Sequence, residues 1–90
     1  MRSRDEALQN LMSGPLANAV HATRDWARTV TTSDDFELFL SPQDFEGLDG
    51  CRLLGMPIRK SIAVTQGSAV LYDRQRTRYI KQGEQPTETP

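Results

Sequence analysis

The period of the apolar residues changes once along this chain, and that change limits the folds open to it. In the N-terminal part, Leu16, Ala19, Val20, Trp26, Ala27 and Val30 recur with helical spacing. At 100° per residue they fall within an arc of roughly 120°, the stripe of an amphipathic helix. From Phe36 the period drops to two: Phe36, Leu38 and Leu40 alternate with Glu37 and Phe39, as in a strand. Helices followed by strands give an α+β fold. The expected architecture is two N-terminal helices packed on a small antiparallel sheet of three to five strands, with one short helix between strands.

Local signals set the boundaries. Ser3-Arg4-Asp5-Glu6 has the spacing of a capping box, opening a helix with Ala7, Leu8, Leu11 and Met12 on one face. Gly14 suits the position just past that helix, and Pro15 the first turn of the next. Thr23, the polar member of the second helix's stripe, can donate to the carbonyl of Ala19. Asn18, His21, Arg24, Asp25 and Arg28 take the opposite side, and Thr31-Thr32-Ser33-Asp34-Asp35 is loop chemistry. Ser41-Pro42-Gln43-Asp44 caps a short helix that should run to about Leu48. Asp49-Gly50 and Gln66-Gly67 mark turns. Strands are expected from Cys51 to Leu54, Pro57 to about Lys60, Ser68 to Tyr72 and Thr77 to Ile80, with Pro57 at an edge or a bulge. From Lys81 the chain has no large apolar residue. Residues 1–82 are expected to form one domain and residues 83–90 a disordered tail.

Ninety residues fill one core, and a chain this short buries only about 60% of its unfolded surface. No apolar run reaches the ~20 residues that span a bilayer, and Met1–Glu6 lacks an apolar segment of the secretory type. Cys51 is the single cysteine, which rules out an internal disulfide and fits a reducing compartment. No cofactor site is expected. No catalytic set emerges either: His21 is the sole histidine and lies four residues before Asp25, the spacing of a solvated pair. The chain is therefore expected not to be an enzyme.

The net charge of −1 hides an asymmetry. Residues 1–50 hold four arginines against nine acids, whereas residues 51–83 hold seven bases against Asp73. The halves either cancel within one chain or attract other copies, so a homo-oligomer is one expectation. Asp34, Asp35, Glu37, Asp44, Glu46 and Asp49 form a stretch without a base, an acidic surface suited to a protein partner. The alternating donors and final glutamate of a calcium loop are missing from it. Arg74, Arg76 and Arg78 recur at period two, with Lys81 beyond. If the last strand reaches back to Arg74 they share one face. Such a row either guards a sheet edge or contacts phosphate, with Tyr72 or Tyr79 stacking on bases.

The segment from Phe36-Glu37-Leu38-Phe39-Leu40-Ser41-Pro42-Gln43-Asp44-Phe45 to Leu48 resembles the strand and Pro-x-Asp-aromatic segment of tailed-bacteriophage major capsid proteins. Leu53-Leu54-Gly55-Met56-Pro57-Ile58 and Ala69-Val70-Leu71-Tyr72-Asp73-Arg74 are similar to the strands that follow in that family. The resemblance covers residues 34–74. A complete capsid subunit has an extended arm, a spine helix and an axial domain, for which this chain is too short. The resemblance implies a small phage or prophage protein in the virion or host cytoplasm, and no catalytic residues. Two protein-binding roles follow: a virion or accessory structural component, or an anti-defence inhibitor of a host nucleic-acid-guided complex. The rival reading is a nucleic-acid-binding module built on Arg74, Arg76 and Arg78. No membrane partner is expected.

Overall fold

Half of the N-terminal capping box forms: Ser3 Oγ accepts the Glu6 N–H at 3.2 Å and starts α1, Arg4–Ser13, while among the described residues the Glu6 carboxylate does not return the bond. A computed structural model describes residues 3–85 and the backbone of Thr87 and Glu88. The other elements are α2 (Pro15–Val30), β1 (Phe36–Leu40), α3 (Pro42–Phe45), β2 (Arg52–Leu53), β3 (Met56–Lys60), β4 (Ala69–Asp73), β5 (Arg78–Ile80) and β6 (Thr87–Glu88). Ala7 and Leu11 bury the inner face of α1, while Met12, expected on that face, is 64% exposed. Gly14 ends α1 with φ −87°, outside the left-handed region expected of it. Close approach is what calls for glycine here: a Cβ would lie 2.8 Å from the Asn10 carbonyl oxygen and 3.0 Å from its Cα.

Helix α2 buries Leu16, Val20, Thr23 and Ala27 against the sheet core. The Thr23 hydroxyl lies 2.8 Å from the Ala19 carbonyl oxygen, as its spacing predicts, and 3.2 Å from that of Ala69 in β4. One polar group thus joins helix to sheet without an unmet hydrogen bond. Trp26 lies half-buried beside the core and donates its indole N–H to the Glu84 carbonyl at 2.9 Å.

The strands form one sheet in the order β2-β3-β1-β4-β5-β6. The α+β class, the two helices packed on the sheet and the short helix between strands are as expected. The sheet, however, is mixed rather than antiparallel. β1 pairs with β3 in parallel (Leu38 opposite Ile58) and with β4 antiparallel (Leu38 opposite Leu71). The stretch between β1 and β3, with α3 inside it, is long enough for the crossover that a parallel pair needs. β2 and β3 make a tight hairpin, with Leu54 (φ 53°) and Gly55 (φ 82°) both left-handed in its turn. α3 stops at Phe45 instead of running to Leu48, and Gly47 follows with φ 88°.

Two contacts fall within residues 83–90, the stretch expected to be a disordered tail. Thr87–Glu88 pairs antiparallel with β5, and Glu84 is held by Trp26. Pro86, Thr89 and Pro90 lie outside the described residues, as do Met1 and Arg2. In the core, Leu38, Leu40, Leu48 and Ile80 have no exposed surface, each such side chain contributing about 1.5–3 kcal/mol of burial. Along β4, Ala69, Leu71 and Asp73 turn inward to the core and Val70 and Tyr72 outward.

Candidate functional site

Helices α1 and α2 pack on the face of the sheet that carries Leu38, Leu40, Ala69 and Leu71. On the opposite face, the open face, the strands align three aromatic rings. Phe39 comes from β1, Tyr72 from β4 and Tyr79 from β5, with Tyr72 directly opposite Tyr79 in the ladder. Their centroids lie 4.9 Å apart for the two tyrosines, and 6.4 and 6.0 Å from Phe39 to Tyr72 and Tyr79. Both Phe39 contacts are edge-on, a favoured aromatic geometry. Val70 sits opposite Phe39, and with Ala63 and Val64 it lines a shallow pocket of about 300 Å³ against Phe39 and Tyr79. Ile62, in the loop bordering this pocket, is 95% exposed. The result is an apolar surface with a depression in it, the usual form of an anchor site for a partner side chain.

The expected acidic surface is not assembled. Asp44 is buried: its backbone N–H donates to Ser41 Oγ at 3.1 Å, and its Oδ2 accepts the Gly67 N–H at 2.7 Å. It ties α3 to the β3–β4 loop and faces no partner. Glu37 pairs with Arg59 (3.5 Å) on the open face, and Asp35 with Arg74 (3.7 Å). Asp34 stands in the α2–β1 loop, where its N–H donates to Gln75 Oε1. Glu37, Glu46 and Asp49 do line one groove of about 790 Å³, but Arg52, Arg59 and Lys60 line it too, so its charge is mixed.

The basic row is also dissolved. Arg74 and Arg76 belong to the β4–β5 turn and not to a strand, so the three arginines share no strand face. Asp73 is the cause. Its Oδ1 accepts the backbone N–H groups of Gln75 and Arg76 at 3.0 and 3.1 Å, and this side-chain turn ends the strand. Arg76 reaches Thr32 Oγ1 at 3.4 Å, Arg78 donates to the Val30 carbonyl at 3.3 Å, and Lys81 pairs with Glu84 at 3.8 Å. The two charged halves of the sequence therefore meet inside one chain at Glu37–Arg59 and Asp35–Arg74.

His21 and Asp25 are both exposed and no hydrogen bond or ion pair joins them. Cys51 is half-buried against the core. Among the described residues, no three His, Cys, Asp or Glu side chains gather as a metal site would require, and no helix is long and apolar enough to cross a membrane.

The aromatic site had a partial signal in the sequence. Phe39, Val70 and Tyr72 occupy the strand positions that alternation assigns to the face away from the helices, so β1 and β4 are apolar on both faces. Ile62 gave none, because a lone apolar residue in a loop carries no period. Compared with known proteins, the chain matches no family model, no curated protein and no solved structure.

Proposed function

We propose that this chain is a non-catalytic protein-binding module of bacteriophage type, acting as a virion or accessory structural component through the open face of its sheet. One observation carries the reading: Phe39, Val70, Tyr72 and Tyr79 form a continuous apolar surface beside the exposed Ile62. Large rigid aromatics at low entropic cost are the groups that dominate protein interfaces. Residues 34–74, which carry the resemblance to capsid proteins, comprise β1, α3, β2, β3 and β4 and so form the body of the sheet. The virion, or the host cytoplasm during assembly, is the setting this reading implies.

The inhibitory reading would draw on an acidic, phosphate-like surface, and the acids are instead buried, paired or interleaved with bases. For nucleic acid the open-face tyrosines would serve as stacking platforms, but of the arginines meant to hold the backbone Arg74 and Arg76 lie in a turn and engage Asp35 and Thr32, while Arg78 in β5 pairs with Asp73.

Affinity purification from an expressing, phage-infected host, with wild type and a Phe39→Glu, Tyr79→Glu variant side by side, tests the proposal. Virion proteins should be retained by the wild type and lost by the variant. Equal retention by both would remove the open face as the site. Retention of a host defence complex would replace the structural role with the inhibitory one. Nucleic acid recovered alone, with salt-sensitive affinity, would favour the rival class.

A further inference from the structure

Arg24 and Arg28 stand one turn apart on α2, and neither has an ion-pair or hydrogen-bond partner among the described residues. Like charges at this spacing repel. The negative end of the helix dipole offsets this for Arg28, in the last turn, but Arg24 lies a turn earlier. Both line a groove of about 440 Å³, within the ~300–1,000 Å³ common for small-molecule sites. Phe36, Met56 and Leu71 supply its apolar lining, on the helix-facing side of the sheet and away from the aromatic face.

Leu54 lines the groove as well, from the turn of the β2–β3 hairpin. It is 60% exposed and left-handed, with φ 53°. Both features are unfavourable in the isolated molecule, since left-handed backbone suits Gly or Asn and the apolar side chain stands in water. Thr31, Thr32 and Ser33 add hydroxyls, and Asp34 is the acid set against the two arginines. The groove thus combines unpaired positive charge, an apolar bed and an exposed leucine whose position a ligand would justify.

We infer that this groove binds a small organic anion, its charged head held by Arg24 and Arg28 and its apolar body lying on Phe36, Met56 and Leu71 beneath Leu54. The site is independent of the protein-binding face.

Amide NMR titrations of the full chain with octanoate, acetate and octylammonium test it. Octanoate should produce saturable shifts at Thr32, Ser33 and Leu54, with a midpoint on the order of millimolar for so small a ligand. Acetate should bind at least about tenfold more weakly, having no apolar body. Octylammonium should leave these amides unmoved. Arg24→Gln with Arg28→Gln should raise the octanoate midpoint about tenfold, the loss expected for charge-assisted hydrogen bonds. Leu54→Asn should weaken octanoate binding while raising the melting temperature, because asparagine suits the turn, so its effect is separable from misfolding. Equal responses to octanoate and octylammonium, an acetate midpoint matching that of octanoate, or unchanged octanoate binding in Leu54→Asn would each overturn the inference.

Discussion

Arg78 Nε lies 3.7 Å from Asp73 Oδ2, and that nitrogen is buried with no hydrogen-bond acceptor. The two residues face each other across the β4–β5 ladder, so their contact is one of charge, set by register. Asp73 is fully buried, and its other contacts are the turn amides of Gln75 and Arg76 and the Thr31 hydroxyl at 3.3 Å. It links the end of α2 to the β4–β5 turn. Breaking a buried pair by removing one partner costs about 3–5 kcal/mol, because the remaining charge is left uncompensated. Asp73→Ala should lose about that much in urea unfolding. Asp73→Asn should lose less, as it can still accept the turn amides. Equal loss in the two would assign the whole effect to charge.

The hydrogen bond from Trp26 to Glu84 places the tail within reach of fluorescence. Deleting residues 84–90 should shift tryptophan emission to the red and lower stability by at least about 1 kcal/mol, the worth of the Trp26 hydrogen bond alone, since the β5–β6 pairing is lost with it. Unchanged emission would show that the tail does not lie against α2 in solution.

Asp44 supplies the acceptor for the Gly67 N–H across the fold. Asp44→Ala should cost about 1.5–3 kcal/mol, the worth of a hydrogen bond to a carboxylate. Hydrogen exchange should accelerate at Gly67 well before it does in β1.

Glu37–Arg59 and Asp35–Arg74 join the acidic and basic halves of the sequence inside one chain, so these groups are already engaged with each other rather than with another copy. Light scattering after size exclusion should therefore give the same mass at low and high salt. A mass that falls as salt rises would point to pairing between chains.

At Gly14 the obstacle to a side chain is contact, not backbone conformation. Gly14→Ala should destabilise by about 1–3 kcal/mol, as forced overpacking does. Moving the Asn10 side chain aside with Asn10→Ala should recover only part of this, since the Asn10 backbone stays in the way.

Much of this architecture was readable because it rests on local rules. The Ser3 and Ser41 caps, the Thr23 back-bond and the end of α2 at Val30 depend on residues within one turn of each other. What escaped depends on partners distant in sequence. The parallel pairing of β1 with β3 follows from where α3 directs the chain, not from alternation in either strand. Arg74, Arg76 and Arg78 have the spacing of a strand face, but Asp73 turns the backbone before they can form one. Asp44 read as surface because acids usually are, and its burial depends on Gly67 in a distant loop. The aromatic face was half legible: Tyr72 and Tyr79 read as rings that could stack on bases beside the basic row, while their meeting with Phe39 needed the sheet order.

The central place of β1 shapes the chain's early life on the ribosome. α1 and α2 emerge first, but the surface they cover needs β1 with both of its neighbours, and β4 is complete only at Asp73. Helices of about this length are marginal alone in water, so the stripe from Leu16 to Ala27 must stay open until β4 has been made. Folding is then committed late and nearly all at once, and nascent chains stalled before Asp73 should be substrates for chaperones or proteases.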